Sequence, residues 1–86
     1  MHKSLDLIVF GATGFTGRLV AEYLNATYGV GGAVAWAIAG RNLGKLAEVR
    51  DLIGAAAALP LLIADASDAA SLAGLVAQAK VIVTTV

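Results

Sequence analysis

Apolar residues in this chain fall into short blocks with two alternating rhythms. "LDLIVF" (residues 5–10) is almost continuously apolar, the pattern of a parallel strand buried on both faces. Past a glycine-rich septet the rhythm changes. Phe15, Leu19, Val20, Tyr23 and Leu24 recur at helical spacing and predict a helix from Phe15 to about Tyr28, with these five on its apolar face. "GVGG" (residues 29–32) ends it, since glycine tolerates the left-handed conformation that closes helices. The two rhythms then repeat. "AVAWAIAG" (33–40) reads as a second buried strand centred on Trp36 and Ile38, and Leu43 to about Ile53 as a helix with Leu46, Val49 and Ile53 on one face. Gly54 and the alanines after it read as a frayed extension or a loop, bounded by Pro60. "LLIA" (61–64) is a third strand. Ser67 or Asp68 caps a helix from about Ala69 to Ala79, whose apolar face is Leu72, Leu75, Val76 and Ala79. "KVIVTTV" (80–86) is a fourth strand.

The predicted order is β-α-β-α-β-α-β. Strands alternating with helices require parallel pairing and right-handed crossovers. The expected architecture is therefore a three-layer α/β domain of Rossmann type with strand order 3-2-1-4. No internal repeat or linker divides the chain.

The septet "GATGFTG" stands where the first strand hands over to the first helix. That is the setting of a dinucleotide-binding loop. Gly11 permits the tight turn, Gly14 lets the backbone approach a pyrophosphate, and Gly17 lets the helix pack hard on the strand. The helix N-terminus presents N–H groups and a positive dipole end to phosphate. Thr13 and Thr16 add hydroxyl donors, and Phe15 is expected to anchor the loop by packing. The spacing is G-x-x-G-x-x-G, and a tight turn without a ligand is the plainer alternative.

At the end of the second strand, where a fold selective for NAD places an acidic residue on the ribose hydroxyl, the chain reads "AGRN". Arg41 can pair bidentately with the 2′-phosphate of NADP. Asn42 is expected to cap the next helix, whose first N–H groups also face that phosphate, and Lys45 adds charge a turn later. The alternative is a solvated loop arginine. Asp65, ending the third strand, suits either a bond to the adenine amino group or a turn. Thr84 and Thr85, ending the fourth strand, suit either backbone contact with the ribose or a structural role.

Composition changes the picture in two ways. Of 86 residues, 59% are hydrophobic, and mean hydropathy is +0.85. That is high for a soluble domain, yet no apolar run approaches the ~20 residues that span a bilayer. The first apolar stretch is too short for a secretory signal. The excess apolar surface is instead expected to be covered by a larger assembly. Net charge is zero and there is no cysteine. A nucleic-acid surface, thiol chemistry and cysteine-based metal sites are excluded. The single histidine, His2, sits in a terminal tail, so no metal site is expected and an intracellular, cytoplasmic setting is the default.

With "IVFGATGFTGRLVAEYL", "WAIAGRNLGKL", "LLIADASDAASL" and "AKVIVTTV" in order, the chain resembles the N-terminal NADP-binding domain of the saccharopine dehydrogenase-like oxidoreductases. Within that group it is most similar to the mycobacterial-type trans-acting enoyl reductases. The resemblance covers about Leu5 to Val86. It implies an NADPH-dependent reductase, acting with a polyketide synthase acyl carrier on an enoyl thioester in lipid synthesis, in a parent protein that is cytoplasmic or peripheral to the membrane. Saccharopine-type C=N chemistry, an atypical short-chain dehydrogenase or epimerase, and a non-catalytic NADP-binding module are the alternatives. In such families a Gly-Pro-Tyr loop, further strands and a substrate domain follow the equivalent of "TTV". The chain is therefore expected to be the first part of a dinucleotide-binding domain, inactive alone, with no residue nominated as catalytic. Left by itself, the apolar edge of its fourth strand is expected to self-associate.

Overall fold

A computed structural model describes residues 4–84. Seven elements alternate along the chain: β1 (Leu5–Phe10), α1 (Phe15–Tyr28), β2 (Trp36–Gly40), α2 (Leu43–Leu52), β3 (Leu61–Ile63), α3 (Ala69–Gln78) and β4 (Ala79–Thr84). The four strands form one parallel sheet in the order β3-β2-β1-β4. This is the expected Rossmann-like α/β arrangement.

The pleat sends alternate strand residues to opposite faces. Val9 and Ile38 join Leu24 of α1 with Leu46 and Val49 of α2 in one buried cluster. Ile8, Phe10, Ala37 and Ala39 join Leu75 of α3 in the other. Every residue of β2 is buried, as its continuous apolar sequence requires.

Glycines set two helix-to-loop transitions: Gly29 (φ 68°) closes α1 and Gly54 (φ 73°) follows the end of α2. After Gly54 the alanines form a loop, held where Arg50 donates to the Ala57 carbonyl at 3.2 Å. Leu59 plugs that loop into the core.

Four sequence expectations are corrected. β2 begins at Trp36 rather than Ala33: the Ala35 carbonyl accepts from the Asp6 N–H at 2.7 Å, but its N–H is taken by the Asp6 carboxylate and not by a backbone partner. α3 ends at Gln78, and Ala79 opens β4 directly, paired with Leu5 and buried against the second face. Val76 is not on the packed side of α3, where Leu75 is the buried residue. The largest correction is the rotation of α1. Of the five residues expected inside, Leu24 is buried and Val20 half-buried against the same cluster, whereas Phe15, Leu19 and Tyr23 are exposed; Gly17 and Ala21 complete the buried side. Among the described residues no helix is long and apolar enough to cross a membrane.

Candidate functional site

The carboxyl ends of β1, β2 and β3 surround a cleft of about 430 Å³ lined by Phe10, Gly11, Thr13, Gly14, Gly40, Arg41, Asp65, Ala66 and Ser67. Parallel pairing brings these ends together, so residues far apart in sequence converge on one side of the sheet. Ligands of open α/β sheets bind in this crevice.

The glycine loop forms its floor. Gly11 has φ 89°, in the left-handed region that favours glycine, and its N–H donates to the Ala39 carbonyl at 3.0 Å. Gly14 N–H donates back to the Gly11 carbonyl at 3.1 Å, closing the turn. A Cβ on Gly17 would run into the Gly11 carbonyl and come within 2.8 Å of the Ala12 Cα. That glycine is required by the close approach of α1 to the loop. Gly14 is different. It has φ −80°, and an added Cβ would meet only the Gly11 carbonyl oxygen, at an ordinary 3.5 Å. Neither backbone conformation nor packing demands glycine there. Gly14 is also the N-cap of α1 and supplies no side-chain cap, so the first turn of that helix is not closed by a side chain of its own cap residue.

The wall is basic at one corner. Thr13, Arg41, Asn42 and Lys45 line an adjoining recess of about 320 Å³. Asn42 caps α2, accepting from the Lys45 N–H at 3.1 Å, which fixes the start of the helix and places Lys45 in its first turn.

Asp65 forms the opposite wall. Its carboxylate accepts from the Ser67 N–H at 3.0 Å and the Ser67 hydroxyl at 2.9 Å, and its own N–H donates to Ser71 Oγ at 3.1 Å. The Ser67 N–H, then its hydroxyl, hold the carboxyl below its ordinary pKa; partial burial opposes this, and the charge of Arg41 adds a smaller lowering. Asp68, rather than Ser67, caps α3 by accepting from Ala70 N–H. The turn role read from sequence for Asp65 is therefore present. Ser67 lines the cleft and holds Asp65, a part sequence reasoning missed; the spacing Asp-x-Ser, typical of an Asx turn, was the available signal.

Gly11, Thr13, Gly14, Arg41 and Asp65 thus share one cleft, and Asn42 and Lys45 join Thr13 and Arg41 beside it. Thr16 is exposed and lines neither hollow. Thr84 lines a separate apolar groove of about 300 Å³ with Leu72, Leu75, Val76 and Ile82, joined to the cleft through Phe10 and Ala66. Phe15 does not anchor the loop. It is 72% exposed, with the Arg18 guanidinium 5.9 Å from its ring centre. The rotation imposed at Gly17 turns it outward. Thr85 and His2 lie outside the described residues. Among the described residues there is no group of three or more metal-ligating side chains.

Comparison with known proteins finds relatives along essentially the whole chain. A Mycobacterium tuberculosis protein provisionally named a trans-acting enoyl reductase is 42% identical over 85 residues, which is 98% of this chain and 20% of that protein. A trans-acting enoyl reductase of Mycobacterium bovis is 41% identical over 86 residues, 99% of this chain and 20% of its own length. One of Mycobacterium leprae is 39% identical over 85 residues, 98% of this chain and again 20% of its own length. The chain therefore spans about a fifth of the length of the curated relatives it matches. No protein-family profile matches it. No solved structure matches it.

Proposed function

We propose that the chain is the NADP-binding portion of an NADPH-dependent enoyl reductase, cytoplasmic and acting on an enoyl thioester in lipid or polyketide synthesis. The observation that carries the reading is the convergence of the glycine loop, Arg41 and Asp65 on one cleft, with Arg41 and Lys45 in the recess beside it. The names of the relatives support the reaction class.

The residues fit such a cofactor. Gly14 is a glycine the fold does not need, at the point where a pyrophosphate would have to approach the backbone. The open first turn of α1 offers amide donors to that anion, with the Thr13 hydroxyl beside it. Arg41 and Lys45, with the capped start of α2, suit the 2′-phosphate of NADP. Asp65, held ionised, faces the adenosine end and accepts hydrogen bonds. Thr84, in the adjoining groove rather than the cleft, would border the ribose where the two hollows join. When bound, NADPH supplies a hydride to the β-carbon of the activated double bond, with protonation at the α-carbon. The work of this chain is to bind and orient; none of its residues is assigned the proton. An acyl carrier of a polyketide synthase is the partner that would present such a thioester in trans. The sheet margin at β4, where Val81 is half exposed, is a second candidate contact, for self-association.

Calorimetric titration with NADP and NAD tests the reading. Arg41→Asp is expected to weaken NADP by at least about tenfold more than NAD, the loss of one charge-assisted pair. Equal losses would remove the 2′-phosphate assignment. A wild-type chain that binds neither dinucleotide would sink the cofactor reading altogether.

A further inference from the structure

The outward side of α1 is apolar where a solvent-facing helix is ordinarily polar. Phe15, Leu19 and Tyr23 follow at intervals of four and form one ridge along the helix. They are 72%, 44% and 64% exposed. Arg18 and Glu22, also four apart, run along one flank of the ridge. Arg18 leans over the Phe15 ring, and Glu22 is exposed with no ion-pair partner among the described residues. Asn25, on the Arg18 side, donates to the Ile53 carbonyl at the end of α2. The ridge therefore stands clear of α2.

We propose that this ridge is a self-association surface whose occupant is α1 of a second copy, packed antiparallel about a two-fold axis near Leu19. The pattern is self-complementary, as a two-fold interface requires. An axis at Leu19 sets the two Leu19 side chains against each other and Phe15 against the second copy's Tyr23. It also brings Arg18 of each copy beside Glu22 of the other. A parallel pair would instead carry Arg18 and Glu22 of the two copies to opposite flanks, where they do not meet. Apolar area drives the contact, and the charges select its direction. Ridges of residues four apart interdigitate at a crossing angle of about −50°. Three side chains per copy bury less than a stable interface needs, so the dimer is weak and reversible. Arg18, Leu19, Glu22 and Tyr23 do not line the cleft, so the inference is independent of the cofactor reading.

Sedimentation of the full chain over a concentration series tests it. A monomer–dimer equilibrium is expected. Arg18→Glu and Glu22→Arg should each weaken it about tenfold, and the two together should restore it to within about twofold, because each reversal alone makes two like-charge contacts. Leu19→Glu should leave a monomer with unchanged circular dichroism. A wild-type chain that stays monomeric overturns the proposal. So does a dimer that survives Leu19→Glu, which would point to the β4 margin. Failure of the double reversal to restore association also overturns it, and this arm holds even if Leu19→Glu unfolds.

Discussion

Gly11 is glycine because its φ is 89°, and Gly17 because a Cβ would strike the backbone of Gly11 and Ala12. Gly14 has neither reason, so it is the position that tests the proposed binding loop against a plain turn. Gly14→Val should cost about 1 kcal/mol or less of stability, the scale of a changed N-cap. It should nevertheless abolish dinucleotide binding. Affinity unchanged beside unchanged thermal melting would mean that the loop is only a turn. Asp65 offers a second test at this scale. Its pKa is lowered in the fold, chiefly by Ser67. The stabilising contribution is then present above the unfolded value of about 3.9 and is lost as pH falls through the lowered folded value. Ser67→Ala removes the hydroxyl and keeps the N–H, so the Asp65 pKa should rise part of the way back. An NMR titration that finds it unmoved would contradict the assigned cause. "GATGFTG" and "AGRN" made most of these residues legible because each carries a backbone or charge requirement in its identity. Ser67 was harder to read, since its partner is set by a turn and not by periodicity.

At the scale of the element, spacing located all three helices, but it did not orient α1. Counting large apolar residues at helical intervals selected Phe15, Leu19, Val20, Tyr23 and Leu24; the fold buries Leu24 and half-buries Val20, but completes that side with Gly17 and Ala21 and leaves the other three exposed. Close approach decides this. With Gly17 pressed on the loop, the side of the helix that carries Gly17 and Ala21 faces the sheet, and Phe15, Leu19 and Tyr23 are carried outward. Gly17→Ala should therefore be costly despite adding one methyl group. We expect a loss of about 1–3 kcal/mol, the range for overpacking, and a fall in Tm of at least about 4 °C. A melting curve that does not shift would show that α1 can move away and that its rotation has another cause. The edges of β2 and α3 were misplaced for a related reason. Ala35 and Ala79 are assigned by the bonds and burial they find across the sheet, and alanine carries little preference of its own.

For the whole molecule, the amino-acid sequence by itself determined the alternation of elements, the parallel sheet and its order 3-2-1-4. Buried strands write continuous apolar runs, and right-handed crossovers leave few ways to connect them. It also marked the glycine septet after β1 and the arginine after β2, the two features on which the proposed cofactor site rests. Tertiary structure alone decided three things. It brought Arg41 and Asp65, which follow separate strands, to the same cleft as the glycines. It placed Thr84 in an adjoining groove and left Thr16 outside both. It turned the aromatic side of α1 to the surface. Each depends on which surfaces meet, a property of contacts between distant residues that periodicity along the chain does not record.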